Sequence, residues 1–456
     1  MKKIIALLLA AVMVLGLAAC AGKPADTTPS GDTKPADTKA TEPATKATEP
    51  AAAATGSVYY LNFKPEADPA WQDLAKLYTE KTGVKVTVVT AASGTYNDTL
   101  TAEMDKSAAP TLFQVGNQGA VESWGDYCLD LRDTDVYKEM TTDDFNLFGE
   151  NGEVLAAGYC YEAFGIIVNK ALLEKAGHSI DEITNFDSLK AVADDIHARA
   201  SELGFDAFSS AGLEGSSSWR FSGHLANMPL YYEFRDDGVT AQPATITGAY
   251  LDNFKNIWDL YTTDTATTGA ALATATGDES EAEVGEGKAV FYQNGTWEFS
   301  NLTAADKFAM DPADLAMIPI YCGVDGEEKA GLCAGTENCW AINNEASEED
   351  IQATIDFLVW VVTSDEGTTM LAREFGPCPF KNAKEPENVF FQDANKYTAE
   401  GNYVVTWAFN WTPAVDDWRA AVVSALTQYT AGTGDWDAVK TAFVDGWAAQ
   451  YAKENA

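Results

Sequence analysis

Aromatic residues in polar loops are the residues of this sequence that best suit the binding of a ligand. Trp297 lies in the segment 294–298 (NGTWE), and Trp219 follows Glu214 and the serines of 216–218. An aromatic ring offers an apolar face to the C–H face of a sugar, while neighbouring carboxylates and amides bond its hydroxyl groups. The pattern therefore indicates carbohydrate binding, although any single tryptophan can equally belong to a core.

Catalytic and metal-binding signatures are weak in this sequence. The segment 285–288 (GEGK) is similar to a phosphate loop, but Ala289 stands where Ser or Thr is needed. The three histidines have no ligand spacing, so we expect neither a metal nor another cofactor. Among the arginines, Arg220 beside Trp219 is the one positioned for an anionic ligand group. These observations favour a binding protein over an enzyme.

The first 57 residues predict export and tethering. Residues 1–19 combine a basic start, a short apolar run and small residues before Cys20, which is typical of a signal peptide. Residues 21–57 contain only Ala, Thr, Pro, Lys, Asp, Glu, Gly and Ser, so we expect a disordered spacer. The ending of 17–20 (LAAC) resembles the lipobox of bacterial lipoproteins. That resemblance implies that Cys20 carries lipid and anchors the chain to the outer face of the membrane.

The remaining residues, 58–456, predict a large globular region. This length indicates at least two cores, and no later segment is apolar enough to span a bilayer. The net charge of −39 excludes nucleic acid as a partner. Six cysteines follow Cys20; Cys322 with Cys333 and Cys128 with Cys160 are possible disulfides, and buried free thiols are the alternative.

Helices and strands alternate along this region, which predicts an α/β fold with parallel, helix-covered sheets. Strands are predicted at 58–63, 84–89, 112–115, 163–168, 289–293, 316–320 and 339–342, the last two flanking a turn. Helices are predicted at 70–81, 96–107, 170–176, 187–203, 348–363, 365–375, 415–429 and 436–453, with mostly helical structure over 209–311.

Several ordered motifs are similar to those of one family. They are 60–62 (YLN), Trp71 with 82–86 (TGVKV), 162–170 (EAFGIIVNK), 287–291 (GKAVF) followed by 294–297 (NGTW), and 363–367 (TSDEG) followed by 376–377. Together they resemble the extracellular solute-binding lipoproteins of carbohydrate ABC transporters, of the maltodextrin-binding type. The family's Pro-Asp before the third strand is replaced here by Pro110-Thr111.

The resemblance implies a two-lobe periplasmic-binding-protein-like fold with a hinge. It implies an oligosaccharide ligand between the lobes, ABC permease subunits as partners, and a monomer at the cell surface. The first lobe is expected at 58–162 plus 315–375, and the second at 163–314 plus part of 376–456. The implied ligand-binding residues are Asn62, Lys64, Glu66, Tyr96, Asn117, Glu162, Glu214, Trp219, Trp297 and Trp411.

Two other functions stay open from the sequence. A lipid-anchored glycoside hydrolase would use Glu162 and Glu214 as its pair of acids. A receptor for another solute, such as a polyamine, would suit an acidic cleft. Turnover of the ligand separates the hydrolase from a receptor, and the charge of the ligand separates the two receptors.

Overall fold

The computed structural model describes residues 55–455, and the predicted signal peptide, Cys20 and most of the predicted tether lie outside that range. The strands are β1 (Ser57–Asn62), β2 (Lys85–Thr90), β3 (Leu112–Val115), β4 (Leu147–Phe148), β5 (Val154–Ala156), β6 (Glu162–Asn169), β7 (Asp206–Phe208), β8 (Ala289–Gly295), β9 (Leu315–Ile318), β10 (Ala330–Gly335), β11 (Cys339–Ile342) and β12 (Tyr403–Thr406). The first strand thus begins at Ser57, the last residue of the predicted tether.

The helices alternate with these strands over much of the chain. They are α1 (Asp68–Thr82), α2 (Tyr96–Met104), α3 (Val121–Trp124), α4 (Asp135–Lys138), α5 (Lys170–Ala176), α6 (Phe186–Ala198), α7 (Ala200–Leu203), α8 (Gly215–Trp219), α9 (Asn227–Asp237), α10 (Leu251–Thr263), α11 (Gly277–Gly285), α12 (Glu298–Thr303), α13 (Glu348–Thr363), α14 (Asp365–Glu374), α15 (Val389–Ala399), α16 (Val415–Thr430) and α17 (Trp436–Glu454). A π-helical turn, Arg220–Leu225, connects α8 to α9.

Two main sheets organise the described chain. The first has the order β11-β3-β1-β2, with β1 parallel to both β2 and β3 and with β11 antiparallel to β3. The second has the order β12-β10-β6-β8-β7, and β9 also pairs with β6. We call the parts of the molecule built on these sheets the first-sheet half and the second-sheet half.

The second sheet differs from the parallel sheet that the sequence predicts. Its central strand β6 runs antiparallel to β8, β9 and β10. All eight residues of β6 are buried. An unbroken apolar run such as 163–168 is also typical of parallel strands, so the sequence pattern did not reveal that β6 is antiparallel to its neighbours. Gly165 permits the close packing, because a Cβ atom there would lie 2.4 Å from the carbonyl oxygen of Ile318.

The segment 315–335 corrects the expected division of the chain. It was expected in the first lobe, but β9 and β10 pair with β6 in the second sheet. The strands predicted around one turn, β9 and β11, therefore belong to different sheets. The chain passes into the second-sheet half near Glu162, returns at 336–338, and leaves again after Phe375, because α15 packs against β9 and β10.

Each half has its own aromatic core. In the first-sheet half, Trp340 stacks on Tyr159 with ring centroids 4.1 Å apart, and Trp71 meets Tyr60 edge to face at 5.0 Å. In the second-sheet half, Trp258 and Trp418 are fully buried among the residues of α9, α10, α16 and α17. Burial of such large rings contributes to the stability of each half together with the aliphatic residues around them.

The six cysteines after Cys20 are free thiols in the described chain. Cys333 contacts the sulfur of Met228 at 3.6 Å, and Cys128 donates to the carbonyl oxygen of Trp124 at 3.2 Å. Burial raises the pKa of the Cys128 thiol to about 12, which keeps it protonated and unreactive. The structure therefore has the buried free thiols that the sequence left as the alternative to disulfides.

Candidate functional site

A buried ion pair lies where the two halves meet. Lys64, in the loop after β1, donates through Nζ to both carboxylate oxygens of Glu162 at 2.7 and 2.9 Å. Lys64 is 5% exposed and Glu162 is 2% exposed. Burial alone would lower the pKa of Lys64, but Glu162 and Glu66 together raise it above its ordinary value. The amine therefore stays charged inside the protein.

Lys64 also lies close to the rings of two aromatic residues. Its Nζ lies 5.3 Å from the ring centroid of Trp297 and 6.0 Å from that of Phe375. A cation over an aromatic face is attracted by the ring quadrupole. Glu66 is 3.8 Å from the same amine. We call the set Lys64, Glu66, Glu162, Trp219, Trp297 and Phe375 the lysine cluster.

Two amides hold the Lys64 loop in place. Asn62 donates to the carbonyl oxygen of Lys64 at 2.7 Å and accepts from its backbone N–H at 3.2 Å. Gln114 accepts from the N–H of Phe63 at 2.6 Å and donates to the carbonyl oxygen of Asn338 at 3.0 Å. Both amides are buried. Asn62 is thus a positioning residue for Lys64.

Trp297 is fixed on its strand by two contacts. Its Nε1 donates to Oδ1 of Asn294 at 3.0 Å. Its ring lies flat over Gly295, where a Cβ atom would come within 2.2 Å of the ring carbons. Trp219 lies beside it at a centroid distance of 6.1 Å. The sequence NGTW therefore serves a geometric need, because only glycine allows the indole to lie on the backbone.

Below Trp297 lies a buried acid. Glu298 accepts from Nδ2 of Asn294 at 2.8 Å, and its second oxygen has no hydrogen-bond partner among the described residues. Burial, and then the nearby acids Glu281 and Glu66, raise the pKa of Glu298 to about 8. Glu298 is therefore mostly protonated at neutral pH and supports Trp297 through Asn294.

A second aromatic group continues from Trp297 through His224. The imidazole of His224 is 5.3 Å from Trp297 and stacks on Phe164 at 4.0 Å. Trp407 and Phe409 complete the group, 5.6 and 6.3 Å from Phe164. The guanidinium of Arg419 lies 5.4 Å from the centroid of Phe409. We call the set Phe164, His224, Trp407, Phe409 and Arg419 the arginine cluster.

Polar atoms of the arginine cluster lack partners within the described residues. They are Nδ1 of His224, Nε1 of Trp407 and Nε of Arg419, with Oδ1 of Asn410 and Oγ1 of Thr336 nearby. An unpaired buried donor or acceptor costs about 1–3 kcal/mol, and native proteins have few of them. Their concentration beside the aromatic rings therefore indicates a place where a ligand supplies the hydrogen bonds.

The two halves also touch at an exposed rim. Nδ2 of Asn97, at the start of α2, donates to Oδ2 of Asp416 in α16 at 2.8 Å. A Cβ atom on Gly94 would lie 3.3 Å from the carbonyl oxygen of Gly215, which is closer than most Cβ contacts, so the two loops approach tightly at this glycine. We call the region between the halves that contains the lysine and arginine clusters the cleft. The rim lies at its edge and connects α2 and the loop before it to α8 and α16.

The structure brings together only part of the predicted site. Lys64, Glu66, Glu162, Trp219 and Trp297 form the lysine cluster, and Asn62 supports it. Tyr96 is buried against Phe63, with a centroid distance of 5.4 Å, and its hydroxyl accepts from the N–H of Gln114 at 2.6 Å. Tyr96 thus packs behind the Lys64 loop.

Three predicted residues have local roles in the structure. Asn117 accepts from the N–H of Ala120 in its own loop. Glu214 caps α8 by accepting from Ser216 N–H at 2.8 Å, and its bonds to Ser216 lower its pKa. Trp411 stacks on Phe234 at 5.8 Å, among the C-terminal helices. None of the three belongs to either cluster.

Arg220 contradicts its predicted exposure to an anionic ligand. It is 1% exposed and donates to Oγ of Ser217 and of Ser280 at 2.7 and 3.0 Å. Sequence reasoning did not include Arg419, His224, Trp407 or Phe375 among the ligand-binding residues, although His224 follows Trp219 closely in the sequence. The alternation of aromatic and polar residues at 407–411 (WAFNW) was the only signal that pointed to part of this set.

Within residues 55–455, no group of acidic, histidine or cysteine side chains has the arrangement of a metal site. The helices of that part of the chain are also too short or too polar to cross a bilayer.

A family model described as "Bacterial extracellular solute-binding protein" matches residues 73–399. The chain belongs to this family. Among curated proteins, no sequence matches it.

Solved structures share the fold of this solute-binding protein at low sequence identity. A complex of the binding protein RafE with raffinose has a TM-score of 0.68 and 14% identity, over 88% of this chain and 100% of that one. A sugar transporter protein from Bacillus licheniformis in complex with stachyose has a TM-score of 0.64 and 16% identity, over 86% and 100%. The GacH receptor of Streptomyces glaucescens, solved with acarbose, has a TM-score of 0.65 and 17% identity, over 87% and 99%. These matches show the two-lobe fold.

Proposed function

We propose that this solute-binding protein captures an oligosaccharide in the cleft and delivers it to an ABC permease. The observation that carries the proposal is the pairing of aromatic faces with unsatisfied polar atoms along one path from Trp297 to Trp407. A sugar ring has apolar C–H faces and hydroxyl groups that both donate and accept, so it matches rings flanked by mixed donors and acceptors. The sugars named for RafE, the Bacillus licheniformis protein and GacH support the same ligand class.

The hydrolase alternative has little support in the positions of its two acids. Both oxygens of Glu162 accept from Nζ of Lys64, so neither oxygen is free to act on a glycosidic bond. The pKa of Glu214 is lowered by its bonds to Ser216, whereas a general acid needs a raised pKa. Glu214 also serves as the N-cap of α8. We therefore expect the bound sugar to be returned intact.

A cationic ligand such as a polyamine also fits poorly. Arg419 and the charged Lys64 both lie at the cleft, and burial together with Arg419, Arg220 and Lys64 lowers the pKa of His224 well below its usual range. The cations that act on His224 would repel a further cation bound beside it.

A thermal-shift screen over neutral, acidic and amine-bearing oligosaccharides, monosaccharides and polyamines tests the ligand class, because a ligand that binds only the folded state raises the melting temperature. We expect shifts with oligosaccharides, confirmed by calorimetric titration, and recovery of the unchanged sugar after long incubation. Shifts with polyamines alone, or shortened products that disappear in Glu162→Gln, would refute the proposal.

The proposal includes closure of the two lobes on the ligand. Contacts between the halves at the rim and at Lys64 fit the closed arrangement of such proteins. Small-angle scattering should give a smaller radius of gyration with saturating sugar than without it. An unchanged radius for both the wild type and a rim variant would count against closure.

We further propose that the mature chain is a lipoprotein held at the cell surface through Cys20. The leader and the low-complexity segment 21–57 support this anchor. Cys20→Ala should release the protein from membranes or block its processing, and Cys128→Ala serves as a control that keeps Cys20. Membrane partitioning and an N-terminal mass that do not change in Cys20→Ala would refute the anchor.

A further inference from the structure

The arginine cluster contains an arginine with no carboxylate partner. Nε of Arg419 has no hydrogen-bond partner among the described residues, and the acids that act on it, Glu337 and Asp416, do so only at a distance. By contrast, Lys64 has both oxygens of Glu162 within 2.9 Å. The cation of the lysine cluster is therefore neutralised by the protein, and the cation of the arginine cluster is not.

The nearest acid does not supply that partner. Glu337 lies in the connection 336–338 between the halves, and burial raises its pKa despite the opposing effect of Arg419. An acid that burial shifts toward its neutral form compensates a neighbouring arginine poorly. No ion pair within 4.0 Å joins the two side chains in the described structure, unlike the surface pair Arg132–Asp130 at 2.6 Å.

Two of the unpaired groups in the arginine cluster are obligate donors, Nε1 of Trp407 and Nε of Arg419. The indole N–H of Trp407 can only donate, and the guanidinium of Arg419 can only donate. Trp407 and His224 are 6% and 5% exposed, so solvent does not readily supply their partners. A guanidinium without an ion-pair partner in the described structure suits an acceptor with negative charge, and a planar carboxylate fits the arginine fork through two parallel bonds.

We propose that the arginine cluster binds the carboxylate of an acidic sugar unit, so that the ligand is an oligosaccharide carrying a uronic or sialic acid. This inference rests on the proposed function and adds the chemical class of the ligand. Arg419 binds the carboxylate, Trp407 donates a further hydrogen bond, and the ring of Phe409 packs against the guanidinium. Because the chain carries a net charge of −39, a ligand with one carboxylate is favoured over a polyanion.

The test compares acidic sugars with their own neutral esters. The probes are a glucuronic-acid-substituted xylotriose and sialyllactose, each titrated calorimetrically beside its methyl ester. We expect at least one acid to bind about tenfold or more tighter than its ester, which is the size of one charge-assisted pair. We expect Arg419→Gln to remove that preference, and Arg419→Lys to restore only part of it because lysine lacks the planar fork.

Arg132→Gln is the matched control, since it removes a surface arginine that is paired with Asp130. It should leave the preference unchanged. Equal or tighter binding of the esters, or an acid preference that persists in Arg419→Gln, would overturn the inference while the proposed function stands. Failure of acids, esters and all neutral oligosaccharides to bind would remove the proposed function and this inference together.

Discussion

The lysine cluster and the arginine cluster are adjacent but differ in how the protein satisfies their polar groups. Lys64 is bonded to Glu162, and its loop is bonded to Asn62 and Gln114. In the arginine cluster, polar atoms of His224, Trp407 and Arg419 have no partner in the described chain. The comparison separates groups that shape the cleft from groups that are free to bind a ligand.

This difference changes which variants should affect stability and which should affect affinity. Removing one member of a satisfied buried pair leaves the other member unpaired, and this lowers the free energy of unfolding. Removing a group that has no partner in the protein changes the free energy of unfolding little and instead weakens the binding of the ligand. Variants of the two clusters and of the rim test this separation.

Lys64→Met should cause the largest loss of stability. It leaves the carboxylate of Glu162 buried and unpaired, so we expect the free energy of unfolding to fall by about 3–5 kcal/mol. Urea unfolding measures it.

The double variant Lys64→Met with Glu162→Gln removes both charges and should recover much of the loss. Lys106→Met, which breaks the exposed pair with Glu103, should change stability by no more than about 1 kcal/mol. A single variant as stable as Lys106→Met would mean that the ion pair does not hold the halves together.

Trp297→Ala should cause the largest loss of affinity. Its ring forms a face of the cleft beneath Lys64, and truncation of a central aromatic contact costs about 2 kcal/mol or more, or at least about 30-fold in the dissociation constant. Calorimetric titration with the sugar found in the screen measures the loss.

Thermal melts of Trp297→Ala show whether the loss is one of binding or of folding. Trp297 is half-buried, so most of the melting temperature should be kept. Trp360→Ala, which removes a half-buried tryptophan on α13, should keep full affinity. Equal affinity losses in both variants, or collapse of the Trp297→Ala fold, would assign Trp297 to the core.

The two clusters also differ in how far the sequence could predict them. The NGTW motif predicted Trp297, and Glu162 was predicted from the start of a buried strand, because both depend on residues that are local in sequence. Lys64 and Glu162 were each proposed as contacts, but their pairing across 98 residues has no local signal. The positions of Arg419 and Phe375 depend on how distant segments of the chain pack where the halves meet. Hydrophobic periodicity does not encode that packing.

The fold shows the same division between local and distant information. Strands β3 and β11 and helices α5 and α13 have the predicted bounds, since alternation, caps and apolar stripes determine each element. The pairing of β9 with β6 and of β11 with β3 was missed. Strands β10 and β12 were not predicted; β10 is rich in Gly and Ala, which are depleted in strands.

Glu298 predicts a pH-dependent stability for the second-sheet half. Burial with Glu281 and Glu66 nearby raises its pKa to about 8, against opposing effects of Arg220 and Lys307. The folded state then keeps a proton that the unfolded state releases near pH 4.5. Between these values the folded state binds more protons, so the free energy of unfolding falls as pH rises, by up to about 1.4 kcal/mol per pH unit.

Urea unfolding at several pH values between about 5 and 8 measures this slope. Glu298→Gln keeps the bond to Asn294 but cannot ionise, so its slope should be flatter than that of the wild type. Glu202→Gln, which changes an exposed acid on α7, should keep the wild-type slope. Parallel slopes in all three proteins would mean that Glu298 is charged in the fold.

The rim gives the smallest expected effect and tests whether the halves move. The bond from Asn97 to Asp416 joins α2 to α16 and is exposed, so its net contribution is about 0.5–1.5 kcal/mol. That contribution exists only while the rim is closed. Asn97→Ala should therefore weaken sugar binding about two- to tenfold and leave the unfolding of each half unchanged.

Asn151→Ala, whose side chain bonds within its own turn to Glu153, should alter neither the affinity nor the stability. If Asn97→Ala lowers stability as much as affinity, the rim is a fixed interface, because a contact that opens and closes contributes to ligand binding through the closed state alone.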